Sequence, residues 1–353
     1  MNGYQSAPPR LPWWHPEAIA ARTANLAARQ AVLRAVRRWF EAEGFAEVDT
    51  PGLQVSPGLE PHLRAFATML EGPQPGETQR LYLHTSPEFA MKKLLAGGVE
   101  RLFQLAHVWR NGERSATHHP EFTMLEWYRA GASYRDLVVD CRALVQAACR
   151  AAGTDRLRRG DRSADPFAEW EILTVTEAFA RDAGIDLPAL LGDDPAPLAM
   201  EAARIGVRTA ASDSWEDIFF RILLDRIEPH LGQGRPTVLI DYPLAQAALA
   251  RPCPADPRFA ERFELYACGL ELANAFGELT DAGVQRARFE ADMDLKQRLY
   301  GERYPIDEDF LAALAHPMPD AAGIALGFDR LVMLVTAADR IEDVLWAPVA
   351  PAL

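Results

Sequence analysis

The stretch LFQLAHVWRNGERSATHHPEFTMLEWYRAG, running from Leu102 to Gly131, decides how this chain folds. Two strand-like runs, Leu102–Arg110 and Glu121–Tyr128, flank the polar segment 111–120, which predicts an antiparallel hairpin with a long connection. Arg110 closes the first run beside that polar loop, where a guanidinium can clamp phosphate bidentately, although a solvated strand-end arginine looks the same in sequence. On the second run, two-residue alternation puts Phe122, Met124, Glu126 and Tyr128 on one face. A carboxylate and a phenol among apolar neighbours suit an ammonium group; an edge strand turning its polar residues to water is the plainer alternative.

Upstream, Leu26, Val32, Leu33, Val36 and Phe40 fall on one helical face between Asn25 and Glu43, and Gly44 ends the helix. Phe45–Pro51 then reads as a short extended segment stopped by proline. Residues 1–24, with Pro8, Pro9, Pro12 and Pro16, read as a loosely packed lead-in. Downstream, residues 134–231 are rich in alanine and helical periodicity and carry no strong catalytic signature, so a mainly helical insertion is expected there. Strand character returns at Thr237–Asp241, and Gly323–Gly327 leads straight into an apolar helix near Asp329. Glu264, Glu271 and Glu278 recur every seven residues. That spacing suits one face of an amphipathic helix, and periodicity alone does not decide between helix and strand.

The composition is that of an ordinary globular protein, with 49% hydrophobic and 25% charged residues. A formal net charge of −13 argues against a protein that coats nucleic acid nonspecifically, yet leaves room for a small anionic substrate met by a few arginines. No apolar run is long enough for a membrane span and no secretory signal is visible, so a cytoplasmic location is expected. Cys141, Cys149, Cys253 and Cys268 form no CxxC pair and read as reduced thiols. The adjacent His118 and His119 have no third ligand nearby that would make a metal site.

Three separated segments resemble motifs 1, 2 and 3 of the class II aminoacyl-tRNA synthetases: the helix–Gly44–Pro51 segment, the Leu102–Gly131 hairpin, and GIALGFDRLVML from Gly323. HHPEFTMLEWYR resembles motif 2 of the lysyl branch. The resemblance covers roughly Asn25 to Val349. It implies an α+β fold: an antiparallel sheet flanked by helices, with residues 25–353 as the catalytic domain. A motif 1 segment of this kind implies a homodimer.

Residue by residue, the resemblance implies that Arg110 and Arg330 stabilise the phosphates of ATP. Asn111, Gly112, Glu113, His119, Glu271, Leu272 and Gly327 would complete the nucleotide site. Glu264 and Glu271 would hold Mg²⁺, which takes hard oxygen ligands. In the Thr85-Ser86-Pro87-Glu88 segment, Glu88 would meet the substrate's amino group near the carboxylate, with Ser86 beside it. Glu126 and Glu278, with Tyr128, would hold the far end, which suits a diamino acid, and Asn274 would help orient the substrate. The loop reads Arg110-Asn111-Gly112-Glu113 and His119-Pro120, where the family commonly has a glutamate after the asparagine and a second asparagine before the proline. The asparagine's contact would then fall to His119. Ala325 stands where lysyl-tRNA synthetases typically have glycine, and its methyl group would narrow the pocket near the amino-acid backbone.

A bacterial lysyl-tRNA synthetase carries an oligonucleotide-binding barrel before this core, and the 24 residues preceding Asn25 are too few for one. With GLELANAFGELTD and the Ile240-Asp241-Tyr242-Pro243 strand, the chain resembles the elongation factor P–(R)-β-lysine ligases, paralogues of lysyl-tRNA synthetase. That implies activation of β-lysine, or lysine, as an adenylate and its transfer to a lysine side chain of elongation factor P, with tRNA not the acceptor. Two readings compete: a truncated lysyl-tRNA synthetase that charges tRNA, and a catalytically inactive synthetase-like binding module.

Overall fold

The computed structural model describes residues 11–316 and 318–349, so the first ten residues of the expected lead-in lie outside it. Helix α1 (Pro16–Ala42) begins nine residues before Asn25: proline at its first position is pre-set for helix, and His15 Nδ1 caps the Glu17 amide at 3.3 Å. Residues 16–24 are therefore helix rather than lead-in. The hairpin read from the sequence is present as β5 (Arg101–Trp109) and β6 (Glu121–Ala130), with Arg110 just past the end of β5.

The remaining elements are, in chain order, β1 (Ala46–Glu47), β2 (Leu53–Gln54), β3 (Phe66–Glu71), β4 (Thr78–Leu83) and α2 (Glu88–Ala96) before the hairpin. After it come α3 (Asp136–Ala152), β7 (Leu157–Arg159), β8 (Arg162–Ala164), β9 (Glu171–Thr174), α4 (Val175–Ala178), α5 (Ala196–Arg204) and α6 (Trp215–Ile222). The C-terminal part adds β10 (Thr237–Pro243), β11 (Phe259–Ala267), β12 (Leu270–Gly277), α7 (Ala282–Tyr300), α8 (Glu308–Ala315), β13 (Ala321–Gly327) and α9 (Phe328–Thr336).

Eight strands form one sheet in the order β1-β5-β6-β13-β12-β11-β10-β9. Its six central strands are antiparallel, while β1 and β9 add parallel edges, so the fold is α+β with a mixed sheet. The region 134–231 is only partly a helical insertion. It contributes β9 to the main sheet and the β7–β8 ribbon, because Thr237–Ile240 offers a parallel partner to Glu171–Thr174.

One face of the sheet packs against α1, α3 and α9. Phe103 of β5 stacks on Phe40 of α1 at 4.2 Å, and Trp127 of β6 meets Phe40 edge-on. On the opposite side α2, α7 and α8 pack over Leu102, Tyr128 and Ala321, and the helices between 175 and 231 pack over Leu239, Tyr242 and Tyr266. All four cysteines are free thiols. No helix among the described residues is long and apolar enough to cross a membrane.

The Glu264–Glu278 ambiguity resolves to strands. Cys268 (φ 55°) and Gly269 (φ 63°) make a two-residue hairpin turn with both residues left-handed, which matches the twist of β11 and β12. Gly269 suits that left-handed position, which an L side chain rarely adopts.

Candidate active site

A cavity of about 710 Å³ is lined by β6, β11, β12 and β13 together with residues of α2, α6 and α7. Phe122, Met124, Glu126 and Tyr128 of β6 all line it, as their alternation predicts. Register continues this face across the sheet: Glu126 lies beside Ala325 of β13, Ala325 beside Asn274 of β12, and Asn274 beside Glu264 of β11. Between β11 and β12 the register shifts by one residue, at Leu265/Tyr266. Glu271 and Asn274 are three apart and should face opposite sides of a regular strand; the bulge at Leu272 puts both on the cavity wall.

At one end of the cavity three carboxylates converge. Ser86 Oγ donates to Glu126 Oε1 at 2.6 Å and Tyr128 OH donates to Oε2 at 3.2 Å. The Glu88 amide donates to Ser86 Oγ at 3.1 Å. Lys92, which sequence reading left without a role, is 1% exposed and bonds Glu88 Oε1 at 2.6 Å and Glu278 Oε2 at 2.5 Å. One ammonium thus spans both carboxylates: Glu88 and Glu278 share one pocket, where the resemblance implies opposite ends of the substrate. The helical i, i+4 spacing of Glu88 and Lys92 was the signal available. Glu278 Oε1 is buried with no hydrogen-bond partner among the described residues.

Burial pushes the Glu126 carboxyl up to about 8, with the charge of Glu88 adding to it against the Ser86, Tyr128 and Lys92 contacts. Burial also raises Glu278, although Lys92 pulls it back. Lys92 loses hydration on burial, but Glu278 and Glu88 outweigh that and hold it charged. Gly323 is the one residue that fits beside this cluster: a Cβ there would lie 2.2 Å from the Tyr128 ring and 2.3 Å from Glu278 Oε1. Ala325, by contrast, packs its methyl group beside Ala106, Val108 and Met124 on the cavity wall.

The other end is cationic. The Arg110 guanidinium lies over the Phe122 ring at 5.3 Å, and its Nε is buried with no hydrogen-bond partner among the described residues. Arg330, on the first turn of α9, donates from NH1 to the Glu271 carbonyl at 2.9 Å and from NH2 to His118 Nε2 at 2.7 Å. His118 is lowered to about 4 by burial and then by Arg330 and Arg110, so it stays neutral and accepts this bond. Asp329, also missed from sequence, is buried; it accepts from the Thr123 amide at 2.7 Å and pairs with Arg29 of α1, pinning α9 to β6.

The expected nucleotide contacts are only partly brought together. Glu113, His119, Glu271, Leu272 and Gly327 line the cavity, but Asn111 and Gly112 are exposed in the loop and do not. His119 is not free to replace an asparagine side chain. Its Nδ1 donates to the Glu121 carbonyl at 2.6 Å and its Nε2 accepts from the Val349 amide at 3.3 Å. The histidine beside the arginines is His118.

Glu264 and Glu271 suit a hard cation in chemistry. Burial and then the charge of Glu264 raise Glu271, a strain that a divalent cation would relieve. Glu264 already accepts from Tyr242 OH (2.6 Å), Tyr266 OH (2.5 Å) and Arg262 NH2 (2.6 Å). No group of three His, Cys, Asp or Glu among the described residues could hold a metal, so an ion here needs oxygens from a ligand such as a polyphosphate.

The family described as tRNA synthetases class II (D, K and N) matches residues 19–350. The chain is 39% identical over 336 residues to an elongation factor P–(R)-β-lysine ligase of Edwardsiella ictaluri, covering 94% of this chain and 96% of that protein. It is 40% identical to the ligase of that name in Sodalis glossinidius over the same shares. With the Yersinia enterocolitica ligase it shares 37% identity over 341 residues, covering 96% of this chain and 98% of the relative.

Proposed function

The chain belongs to the class II tRNA synthetases (D, K and N), and from that premise we propose that it is an ATP-dependent ligase that activates (R)-β-lysine as an adenylate and transfers it to a lysine side chain of elongation factor P. The observation that carries the substrate class is a charge balance. Glu88, Glu126 and Glu278 surround one end of the cavity with Lys92 as their internal cation. Ionised, that set lacks two positive charges, the number a diamino acid brings. The relatives' names supply the β-lysine and the acceptor.

In the first half-reaction a carboxylate oxygen of the substrate attacks the α-phosphorus of ATP. An O–P bond forms, the bond to the β-phosphate breaks, and pyrophosphate leaves with the electron pair. Arg110 and Arg330 face the charge that develops on the phosphate oxygens. Glu271 and Glu264 would hold Mg²⁺, which supplies charge neutralisation on the phosphates when bound. In the second half the neutral acceptor amine attacks the carbonyl carbon. The C–N bond forms, the C–O bond to AMP breaks, and AMP leaves; the amine's proton goes to solvent. No protein nucleophile is required.

The homodimer is part of the same proposal. It draws support from Leu53, Met69 and Leu70, exposed on the small β2-β4-β3 sheet. The deciding experiment is intact-mass analysis of elongation factor P after incubation with this protein, ATP, Mg²⁺ and either (R)-β-lysine or α-lysine, beside a tRNA-charging assay. A mass increase of one lysyl residue supports the reading. Charging of tRNA with an unmodified factor would replace it with the truncated-synthetase reading, and absence of ATP–pyrophosphate exchange would point to the inactive module.

A further inference from the structure

The cavity is larger than the sheet face alone, and its extension has a chemistry that activation does not use. Helix α7 forms one wall with Gln285, Phe289 and Asp292, spaced four and three residues apart so that they share a face. Glu216 on the first turn of α6 and Glu60 from the segment between β2 and β3 also line the cavity. All three carboxylates line the same cavity, and Glu216 and Glu60 add to burial in pushing Asp292 up to about 7. Arg288 opposes them, but its guanidinium is engaged by the Ala248 and Ala250 carbonyls at 2.8 Å each. His62 bonds the Tyr300 hydroxyl at 2.9 Å, and Arg298 lines the cavity six residues beyond Asp292.

The second observation is Gln285. It is 1% exposed, lines the cavity, and neither its Oε1 nor its Nε2 has a hydrogen-bond partner among the described residues. A buried primary amide with donor and acceptor both unmet is costly, and an incoming peptide group satisfies both at once. Phosphates are repelled by the carboxylates of this arm. The diamino acid already has a matching set in Glu88, Glu126 and Glu278. A third cation, carried on a peptide, is what remains.

We propose that this arm, formed by Glu60, Glu216, Asp292 and Gln285, receives the acceptor protein: its carboxylates take the ammonium of the lysine to be modified and Gln285 pairs with that lysine's backbone. The inference rests on the protein-acceptor reading above. These are positioning residues, acting before the amine attacks and contributing nothing to adenylate formation.

The test uses the full-length protein with Asp292→Asn and Glu216→Gln, singly and together, measuring ATP–pyrophosphate exchange with (R)-β-lysine and transfer to elongation factor P. Exchange should be unchanged, which also certifies folding, while KM for the factor rises about tenfold or more and its dependence on salt flattens. Gln285→Leu should raise the same KM with the salt dependence intact. Equal KM for the factor in wild type and all variants would overturn the inference, as would exchange falling in parallel with transfer. A wild-type protein that exchanges pyrophosphate but never modifies the factor would instead bring down the proposed function, and the arm's role with it.

Discussion

Glu126 sets a pH dependence whose size follows from its surroundings. Its carboxyl, accepting from Ser86 and Tyr128 inside the sheet, is raised from 4.5 to about 8 by burial and by Glu88. At ~1.4 kcal/mol per unit, the empty pocket disfavours its ionised form by roughly 5 kcal/mol relative to a carboxyl in water. At pH 7 only about one site in ten carries the charge that an ammonium ligand needs. The kcat/KM for the diamino acid should therefore climb about tenfold per unit from about pH 6 to 7.5 and level off above about 8.

Stability moves the other way. Because the folded carboxyl titrates above its ordinary value, its contribution is fully present below about pH 4.5 and is lost as pH rises through about 8. Glu126→Gln weakens both trends: the activity profile becomes shallower at a low value, and the ligand-free variant loses less of its melting temperature between about pH 6 and 9 than wild type, the remainder coming from the raised Glu278, Glu271 and Asp292. The assay is pyrophosphate exchange across that range at saturating ATP, paired with thermal melts with and without the diamino acid. A wild-type KM that stays flat from about pH 6 to 8.5, or a Glu126→Gln profile that matches wild type, would refute the argument.

Arg110→Ala and Arg330→Ala should each slow exchange by about 10²-fold or more, as loss of a positioned electrostatic donor does; wild-type rates in both would remove them from the phosphate site. Lys92→Met leaves Glu88 and Glu278 without their cation, so the empty protein should lose about 3 kcal/mol in denaturant melts and regain more stability from the diamino acid than wild type does. Ala325→Gly should shift the β-lysine to α-lysine ratio of kcat/KM towards α-lysine by roughly 10–200-fold with little change in melting temperature. Asp140→Ala breaks the bidentate pair with Arg129 and the bond from Trp127 Nε1, and should cost about 3 kcal/mol in denaturant melts without changing the substrate ratio.

What was legible in the sequence was local. The β5–β6 hairpin and the cavity-facing set Phe122, Met124, Glu126 and Tyr128 follow from alternation within one segment, and the Gly323–Arg330 passage follows from a strand running directly into a helix. The Glu264–Glu278 segment was not legible from periodicity, because its seven-residue spacing fits a helix as well. What decides for strands is pairing with β10 on one side and β13 on the other, information that lies tens of residues away. Lys92 was overlooked because one lysine in a Lys-Lys pair looks like solvent charge until a strand supplies Glu278 beside it. The choice between His118 and His119 turned on the Val349 amide, at the far end of the chain.

The site's charge layout is a property of register. Across the sheet one row reads Glu126, Ala325, Asn274, Glu264, each on the next strand, which spans three steps of ~4.8 Å or about 14 Å. The acidic pocket sits at one end of that row and the Mg²⁺-suited carboxylates at the other, with Ala325 and Asn274 between them. Under the proposed function, a diamino acid anchored at Glu126 would extend its carboxylate towards the middle of the row, where the α-phosphate of an ATP held by Arg110 and Arg330 would meet it. A one-residue slip of β13 would turn Ala325 and Gly323 from the cavity and bring Leu326 into it. The bulge at Leu272 makes the one necessary exception, delivering Glu271 to the same face while Asn274 keeps its place. Strand pairing and the bulge thus fix how far the carboxylates around Glu126 lie from Glu264 and Glu271, and under the proposed function that reach, as well as charge, would select the diamino acid.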